Sequence, residues 1–364
     1  MTKPYRVLSI DGGGIRGLYS ACLLQGISQR VARTNGTPDS NLDVGKAFDM
    51  IVGTSTGAIL AVALAAGCSL EDVINLYKTK SKDIFPSPTP NDAGMRKMLL
   101  WLAKHTLKTS GSESELQKAL KNVLADETVE EMYHRRNIGL CIPTINAETQ
   151  KAWVYKTPHD NVNNRLQRDN KYALVDVCMS SASAPIVFPL HKVKNPNSSS
   201  EDNNWFVDGG LWANNPIMVA LVEALSFAPD DSKIEIISVS TCPPFTASMM
   251  DDKEANRGLL HWKGGIGILE MGLDAQSSAY DYMAKTLTDK MNREIEYVRL
   301  SDPELEDSVA QHLTLDNPSD TTINALVKLA NRAVDKNMSE ATTGDKTKSI
   351  IMDIFSGLSQ IKKQ

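Results

Sequence analysis

A serine lies between two glycines where an apolar segment meets a helical one. Residues 53–57 read GTSTG, which fits the pattern Gly-x-Ser-x-Gly. The apolar residues 48–52 before it predict a buried strand, and the small residues of 57–66 after it predict a helix. A tight strand-to-helix turn exposes a serine hydroxyl for nucleophilic attack. We therefore predict that Ser55 is a nucleophile and that the backbone N–H of Thr56 helps to bind an oxyanion.

A glycine-rich loop follows the first predicted strand. Residues 11–17 read DGGGIRG and come directly after the apolar run 5–10. Successive glycines allow backbone N–H groups to converge beside the positive end of a helix, and such a site binds a phosphate or the oxyanion of acyl transfer. The loop predicts that the N–H groups of Gly12, Gly13 and Gly14 form this anion site.

The same loop leaves two questions open. Its glycines also satisfy GxGxxG, so a nucleotide-binding protein is an alternative function, but a dinucleotide site has an acidic residue at the end of the second strand. Here the second predicted strand runs into GTSTG instead. Arg16, inside the loop, either anchors a substrate phosphate, shapes the oxyanion loop or only pairs with a local acid; a guanidinium fork matches a phosphate geometrically.

The candidate base is Asp208, because a serine hydroxyl is a poor nucleophile until a base takes its proton. Asp208 follows the apolar strand 205–207 and precedes two glycines. It acts either directly, in a Ser–Asp dyad, or through a histidine, in the Ser–His–Asp triad of a serine esterase. Only His261 and His312 follow Asp208 in the chain, and neither lies in a recognisable motif, so the dyad is the simpler hypothesis.

In their order and positions, DGGGIRG, GTSTG and DGG resemble the three motifs of the patatin-like phospholipase family. Two longer stretches are also similar to that family, SSASAPIVFP at 180–189 and FVDGGLWANNP at 206–216. The resemblance covers roughly residues 5–242. The chain departs from the family pattern at Ala58 and at 240–244 (STCPP), where the family often has a glycine and a Gly-Thr-Gly turn, so the shape of the pocket rim is not predicted.

The resemblance implies a phospholipase A-type lipid acyl hydrolase that cleaves phospholipid esters through an acyl-enzyme. Ser55 would be the nucleophile, Asp208 the base and the amides of 12–14 the oxyanion hole, and no cofactor or metal is implied. The family includes bacterial antiviral effectors that degrade membranes when a cyclic nucleotide activates them. On that resemblance we hypothesise a cyclic dinucleotide activator, a phospholipid membrane as partner and a homo-oligomer on activation.

The elements that must position these residues alternate between strand and helix patterns. This alternation predicts an α/β fold in which a largely parallel central sheet lies in a three-layer α/β/α arrangement. We predict one domain over 1–364, with a catalytic core at about 5–245 and a mostly helical extension at about 246–364. The polar stretch 192–204 predicts a surface loop.

Charge and cysteine content argue against two classes of protein. The 364 residues carry 39 Lys and Arg against 44 Asp and Glu, a net charge of −5 (39 − 44), which disfavours a globally basic nucleic-acid-binding protein. The five cysteines are scattered without a CxxC pair, so their spacing predicts neither a disulfide framework nor a zinc site.

Hydrophobic patterning predicts a cytoplasmic protein that acts peripherally on the inner face of a membrane. The longest apolar run, 58–68, is much shorter than the ~20 residues of a membrane span, and the strand pattern begins at Tyr5, too early for a secretory signal. Segment 78–108 has seven Lys and Arg against two Asp and includes Trp101. The helix predicted at 95–107 is a membrane anchor, a lid over the site or a core helix, and the sequence does not separate these three.

Overall fold

One eight-stranded sheet forms the centre of the fold. The computed structural model describes residues 3–90, 95–105, 108–160, 165–198, 202–243, 258, 262, 265–343 and 349–361. In chain order the strands are β1 (Tyr5–Ile10), β2 (Met50–Gly53), β3 (Gly139–Asn146), β4 (Lys151–Lys156), β5 (His191–Lys194), β6 (Asn203–Asp208), β7 (Ile234–Val239) and β8 (Ile295–Arg299). Their order across the sheet is β5-β6-β3-β2-β1-β7-β8, and β4 pairs with β3 outside this path. Neighbours from β3 through β2, β1 and β7 to β8 are parallel, whereas the pairs that involve β4, β5 and β6 are antiparallel. The predicted largely parallel sheet is confirmed.

Helices cover both faces of the sheet. In chain order they are α1 (Gly17–Thr34), α2 (Thr56–Ala66), α3 (Leu70–Ile84), α4 (Met95–His105), α5 (Glu113–Leu124), α6 (Val129–Arg136), α7 (Leu174–Ala182), α8 (Gly210–Ala213), α9 (Ile217–Phe227), α10 (Ile266–Lys290), α11 (Asp307–Ala310), α12 (Asp320–Thr343) and α13 (Ile350–Phe355). One apolar core includes α1, α2, α3, α7 and α12, and a second includes Leu221 of α9 and Ala284 of α10. Because side chains alternate along a strand, Leu8 of β1 belongs to the first core and Val7 to the second. The three-layer α/β/α arrangement is confirmed.

Helix α2 is buried along its whole length because its residues are small or aliphatic, TGAILAVALAA. It ends at Gly67, whose φ of 83° lies in the left-handed region that favours glycine after a helix. Although α2 is strongly apolar, it has only 11 residues. Within the described part of the chain, no helix combines the length and the apolar character that crossing a bilayer requires.

The antiparallel strand β6 brings the DGG motif at its end close to the GTSTG motif at the end of β2. β2 pairs with residues 139–141 of β3, and β6 pairs with residues 144–146. Both lie on the same edge of β3, because β4 occupies the other edge over 141–146. Since β2 and β6 run in opposite directions, their carboxyl ends approach each other at this edge.

One sequence-based prediction about the strands is wrong and another is incomplete. The stretch 192–204, expected to be a surface loop, contains most of β5 and the start of β6, which pair antiparallel. The region after 246 is mostly helical where it is described, but it also contributes β8, which pairs with β7. β5 and β8 each pair with a single neighbour, as edge strands do. Edge strands carry more polar residues than central ones, so their sequences resemble loops.

β8 contributes one partner of a buried ion pair at the start of the glycine-rich loop. Arg299 Nη2 lies 2.5 Å from Asp11 Oδ2, and Arg299 Nη1 donates to Ser238 Oγ at 2.8 Å. Burial raises the pKa of Asp11 to about 6, although the charge and hydrogen bonds of Arg299 act in the opposite direction. The pair therefore holds the loop that follows β1 against β8.

Replacing Arg299 with leucine would leave Asp11 buried without its cation, so we expect the free energy of unfolding to fall by about 3–5 kcal/mol. The loss should be larger at pH 8 than at pH 5. Without Arg299 the pKa of Asp11 rises further, and a protonated Asp11 no longer needs a cation. Denaturant unfolding at the two pH values measures both effects.

The control for this experiment is Arg30→Leu, which removes one partner of the exposed Arg30–Asp335 pair. An exposed pair contributes about 1 kcal/mol at most, so this change should have little effect. Equal losses in the two variants would contradict the role assigned to Arg299.

Candidate active site

Ser55 lies at the turn between β2 and α2, as the Gly-x-Ser-x-Gly motif predicts. Its backbone has φ 55° and ψ −121°, a conformation that residues with a side chain rarely adopt. The N–H of Ser55 donates to Ser181 Oγ at 2.9 Å, and the Ser181 hydroxyl donates to the carbonyl oxygen of Pro143 at 2.6 Å. These bonds hold the strained turn in place, with Ser55 in the wall of a cleft that we call the catalytic cleft.

Close backbone contacts require both glycines of this motif. A Cβ on Gly53 would lie 2.1 Å from the carbonyl oxygen of Gly57, and a Cβ on Gly57 would lie 2.4 Å from that of Ile10. Any larger residue would therefore push β2, α2 or β1 apart. The two glycines allow this close backbone packing, and the packing positions Ser55.

Asp208, at the end of β6, is the hydrogen-bond partner of the serine. The Ser55 hydroxyl donates to Asp208 Oδ2 at 2.7 Å, and the Gly210 N–H donates to Asp208 Oδ1 at 2.6 Å. Burial raises the pKa of Asp208 to about 6, although these two hydrogen bonds lower it. A carboxylate with a pKa near neutrality can both accept a proton and return it during a reaction.

No histidine of the described chain lines the catalytic cleft. His312 lies half-buried between α11 and α12, where its backbone carbonyl accepts a hydrogen bond from the Asn317 side chain. His261 lies outside the described residues. Ser55 and Asp208 are therefore in direct contact, with no described histidine beside them.

The glycine-rich loop presents two of its three predicted N–H groups to the cleft. Gly13 and Gly14 line the catalytic cleft, and their N–H groups have no acceptor among the described residues. The N–H of Gly12, in contrast, donates to the carbonyl oxygen of Asn214 at 2.8 Å. The expectation for Gly12 is thereby corrected, because its donor attaches the loop to the segment after Asp208 and is not available to an oxyanion.

Thr56 supplies a third N–H group at the same place. It is the first residue of α2, it lines the cleft, and its N–H has no acceptor within the described chain. The positive end of the α2 dipole adds to its attraction for an anion. The buried Thr56 hydroxyl contacts the hydroxyl of Tyr77, which fixes the start of the helix.

The segment between α11 and α12 contacts the glycine-rich loop. The N–H of Ile15 donates to the carbonyl oxygen of Leu315 at 2.8 Å. Gly14 has φ 57°, and a Cβ at this position would lie 2.0 Å from the same carbonyl oxygen. Only glycine therefore fits where the segment between α11 and α12 closes over the loop.

Arg16 faces a different space from Ser55. It is buried, its Nε donates to the carbonyl oxygen of Gly13 at 3.3 Å, and it lines a second cavity of about 590 Å³ that we call the polar cavity. Asp274 of α10 and Asp302 also line the polar cavity, and burial lowers the pKa of Arg16 while these carboxylates raise it. Among the roles predicted for Arg16, shaping of the loop is consistent with its contact to Gly13. Arg16 does not line the catalytic cleft, so the structure gives no support to a role in binding a substrate phosphate there.

The catalytic cleft is narrow, about 100 Å³, and its walls are mainly apolar. Those walls include Ile59, Leu76, Ile84, Phe85, Leu116, Val187, Phe188, Leu211, Ile266, Leu269 and Leu273. Sequence reasoning missed the contributions of α10 and of Leu315 and Asp316, because no motif marks them. The role of Ser181 could have been suspected from its place in the SSASAPIVFP stretch.

Helix α4, within the segment predicted at 95–107, lies on the loop that forms one wall of the cleft; residues 106–107 are outside the described chain. The Trp101 indole is 7% exposed, and its Nε1 donates to the carbonyl oxygen of Ser87 at 3.1 Å. On the other side of α4, Leu99 and Leu100 are 46% and 63% exposed. Thr89 of the same loop donates from both its N–H and its hydroxyl to Asp316 Oδ2 at 2.8 Å.

Sequence comparisons with known proteins agree with these motifs. The sequence profile described as Patatin-like phospholipase matches residues 8–221. A "cGAMP-activated phospholipase" of Escherichia coli strain TW11681 is 30% identical over 337 residues, covering 89% of this chain and 87% of that protein. "Patatin-like protein 1" of Arabidopsis thaliana is 25% identical, covering 90% of this chain and 80% of that protein. Among solved structures, human GIVD cytosolic phospholipase A2 aligns at 12% identity with a TM-score of 0.42, over 97% of this chain and 60% of that one. The chain thus belongs to the patatin-like phospholipase family.

Proposed function

We propose that this protein is a phospholipase A-type acyl hydrolase that works through a dyad of Ser55 and Asp208. The observation that carries the proposal is the 2.7 Å hydrogen bond from the Ser55 hydroxyl to a buried carboxylate, at the wall of an apolar cleft. A nucleotide-binding function for the glycine-rich loop is less consistent with this arrangement, because Gly13 and Gly14 face the same cleft as the serine.

The dyad would act in two steps. Ionised Asp208 takes the proton of the Ser55 hydroxyl as the oxygen attacks the ester carbonyl, and the N–H groups of Gly13, Gly14 and Thr56 bind the developing oxyanion. Collapse of the tetrahedral intermediate breaks the ester bond, and Asp208 returns its proton to the departing lysophospholipid oxygen. Water then attacks the acyl-enzyme in the same way and releases a fatty acid.

The shape of the cleft bears on the substrate. Its apolar walls suit the acyl part of an ester whose carbonyl lies at Ser55, while the polar head group stays outside. Helix α4 and its loop would serve as part of the wall or lid. The exposed Leu99 and Leu100, with Lys97 and Lys104 on the same helix, suit peripheral contact with an anionic membrane surface.

A cyclic dinucleotide is the activator that we propose. The support is the match, at 28–30% identity over about nine tenths of this chain, to three relatives named cGAMP-activated phospholipase. The polar cavity adjoins the catalytic cleft, but its lining has five acidic side chains against two arginines, so its charge does not favour a ligand with two phosphates, and we assign the activator no site.

Ser55→Ala should abolish release of fatty acid from phospholipid liposomes, with a loss of about 10⁶-fold, because no other group can form the acyl-enzyme. Lipid mass spectrometry of liposomes incubated with the purified protein measures the products. The matched control is Ser226→Ala, which removes an exposed hydroxyl on α9 and should leave the rate unchanged. A Ser55→Ala protein that keeps more than a tenth of the activity would rule out this nucleophile.

Asp208→Asn should lower kcat/KM by about 10⁴-fold, because an amide cannot accept the serine proton. In the unmodified protein, kcat/KM should fall as the pH drops through about 6, since the base acts only when ionised, and should be level above that. A pH profile of liposome hydrolysis tests this expectation.

Two histidine variants separate the dyad from a triad. His261→Gln and His312→Gln should each keep most of the activity and the same pH profile. If either variant were as inactive as Ser55→Ala, a Ser–His–Asp triad would replace the dyad.

Activation by cGAMP can be tested with the same liposomes. We expect the purified protein to be weakly active alone, and we expect cGAMP to raise both its rate and its oligomer size in light scattering. The physical requirement is that the ligand binds the active state more tightly; a change from 1:99 to 99:1 needs about 5.5 kcal/mol of differential affinity. Full activity without ligand, unchanged by any cyclic nucleotide, would refute the activator and leave the dyad untouched.

A further inference from the structure

Three side chains of metal-ligating type meet between the sheet and α9, away from the catalytic cleft. Cys141 is on β3, His159 follows β4 by three residues, and Glu223 is on α9. All three are buried, and one ligand atom from each lies within 4.8 Å of the other two. We propose that Cys141, His159 and Glu223 supply three of the four ligands of a buried zinc site, with water as the fourth ligand.

The first argument is that two polar atoms of this cluster are buried without a hydrogen bond. His159 Nε2 and Glu223 Oε2 have no hydrogen-bond partner in the described chain. They face each other at 3.5 Å, whereas N–H···O bonds are about 2.7–3.2 Å long. Two ligands of one tetrahedral zinc ion, each about 2.0–2.1 Å from the metal, lie about 3.4 Å apart. The observed spacing therefore matches two ligands of one ion better than a direct hydrogen bond.

The second argument is the donor set. Thiolate sulfur, imidazole nitrogen and carboxylate oxygen are the ligands that zinc takes in proteins. A sulfur and a nitrogen ligand of one zinc ion lie about 3.5 Å apart. Cys141 Sγ lies within 4.8 Å of the other two ligand atoms, so it has to approach by about 1.3 Å at most. Zinc binds the thiolate, so the thiol proton leaves to solvent when the metal enters.

The third argument is that neighbouring groups already orient the ligands. His159 Nδ1 lies 2.8 Å from Thr157 Oγ1, which also accepts the N–H of Leu140 at 2.8 Å. An imidazole whose Nδ1–H donates to this oxygen presents the lone pair of Nε2 to the cluster. Lys156 Nζ contacts the other carboxylate oxygen, Glu223 Oε1, and leaves Oε2 to the metal.

A metal ion here would fasten α9 to β3 and β4. This connection matters to the catalytic side of the molecule because β3 also carries Pro143, whose carbonyl anchors Ser181, and Thr144, which pairs with Asp208. None of the three ligands lines the catalytic cleft, so the ion would act on stability and not on the chemical step. The inference is independent of the proposed phospholipase activity.

The test is the metal content of the full chain, produced without a polyhistidine tag. Elemental analysis should find about one zinc ion per chain, held by three protein ligands with water in the fourth position. Cys141→Ser should lose the metal, whereas Cys178→Ser, which changes another fully buried cysteine on the opposite face of the sheet, should keep it. Cobalt added to chelator-treated protein should give a thiolate-to-cobalt charge-transfer band that is absent in Cys141→Ser.

Stability gives a second readout that does not depend on how the variants fold. Removing the metal from the unmodified protein should lower its melting temperature by several degrees, and zinc should restore it. No bound metal, together with no change in melting temperature when zinc is added, would overturn the proposal. Zinc retained at full stoichiometry by Cys141→Ser would also overturn it.

Discussion

The contact between Ser55 and Asp208 depends on the opposite directions in which two strands run along one edge of β3. β2 occupies the first part of that edge in parallel register, and β6 occupies the second part in antiparallel register. Their carboxyl ends approach each other, so a residue just after β2 and the last residue of β6 meet at 2.7 Å. The strained turn at Ser55 is tolerable because Ser181, held by the Pro143 carbonyl of β3, binds its N–H.

Two buried aspartates show how their surroundings separate a structural role from a chemical one. Burial raises the pKa of both Asp11 and Asp208 to about 6. Asp11 is paired with the guanidinium of Arg299, which fixes its position. Within the described chain, Asp208 instead accepts hydrogen bonds from the Ser55 hydroxyl and the Gly210 N–H. Because its partner is a hydroxyl, a proton can pass between Ser55 and Asp208.

The glycine-rich loop separates two spaces of different character. Gly13 and Gly14 face the narrow apolar cleft, while Gly12 and Arg16 face the larger polar cavity. The loop is attached at several points, by Asn214 on one side and by Leu315 on the other. The same backbone thus forms part of the wall of both spaces.

The sequence by itself determined the features that depend on a few consecutive residues. The strand before DGGGIRG, the turn at GTSTG, the buried helix after it and Asp208 at a strand end all follow from local hydrophobic pattern and backbone freedom. The donor of Gly12 was assigned wrongly because its acceptor, Asn214, lies some two hundred residues away. The sequence also did not predict that Arg16 lines the polar cavity or that Arg299 of β8 pairs with Asp11. Both contacts join segments that are far apart in the chain. Cys141, His159 and Glu223 share no motif, being 18 and 64 residues apart, and only the packing of α9 on β3 brings them together.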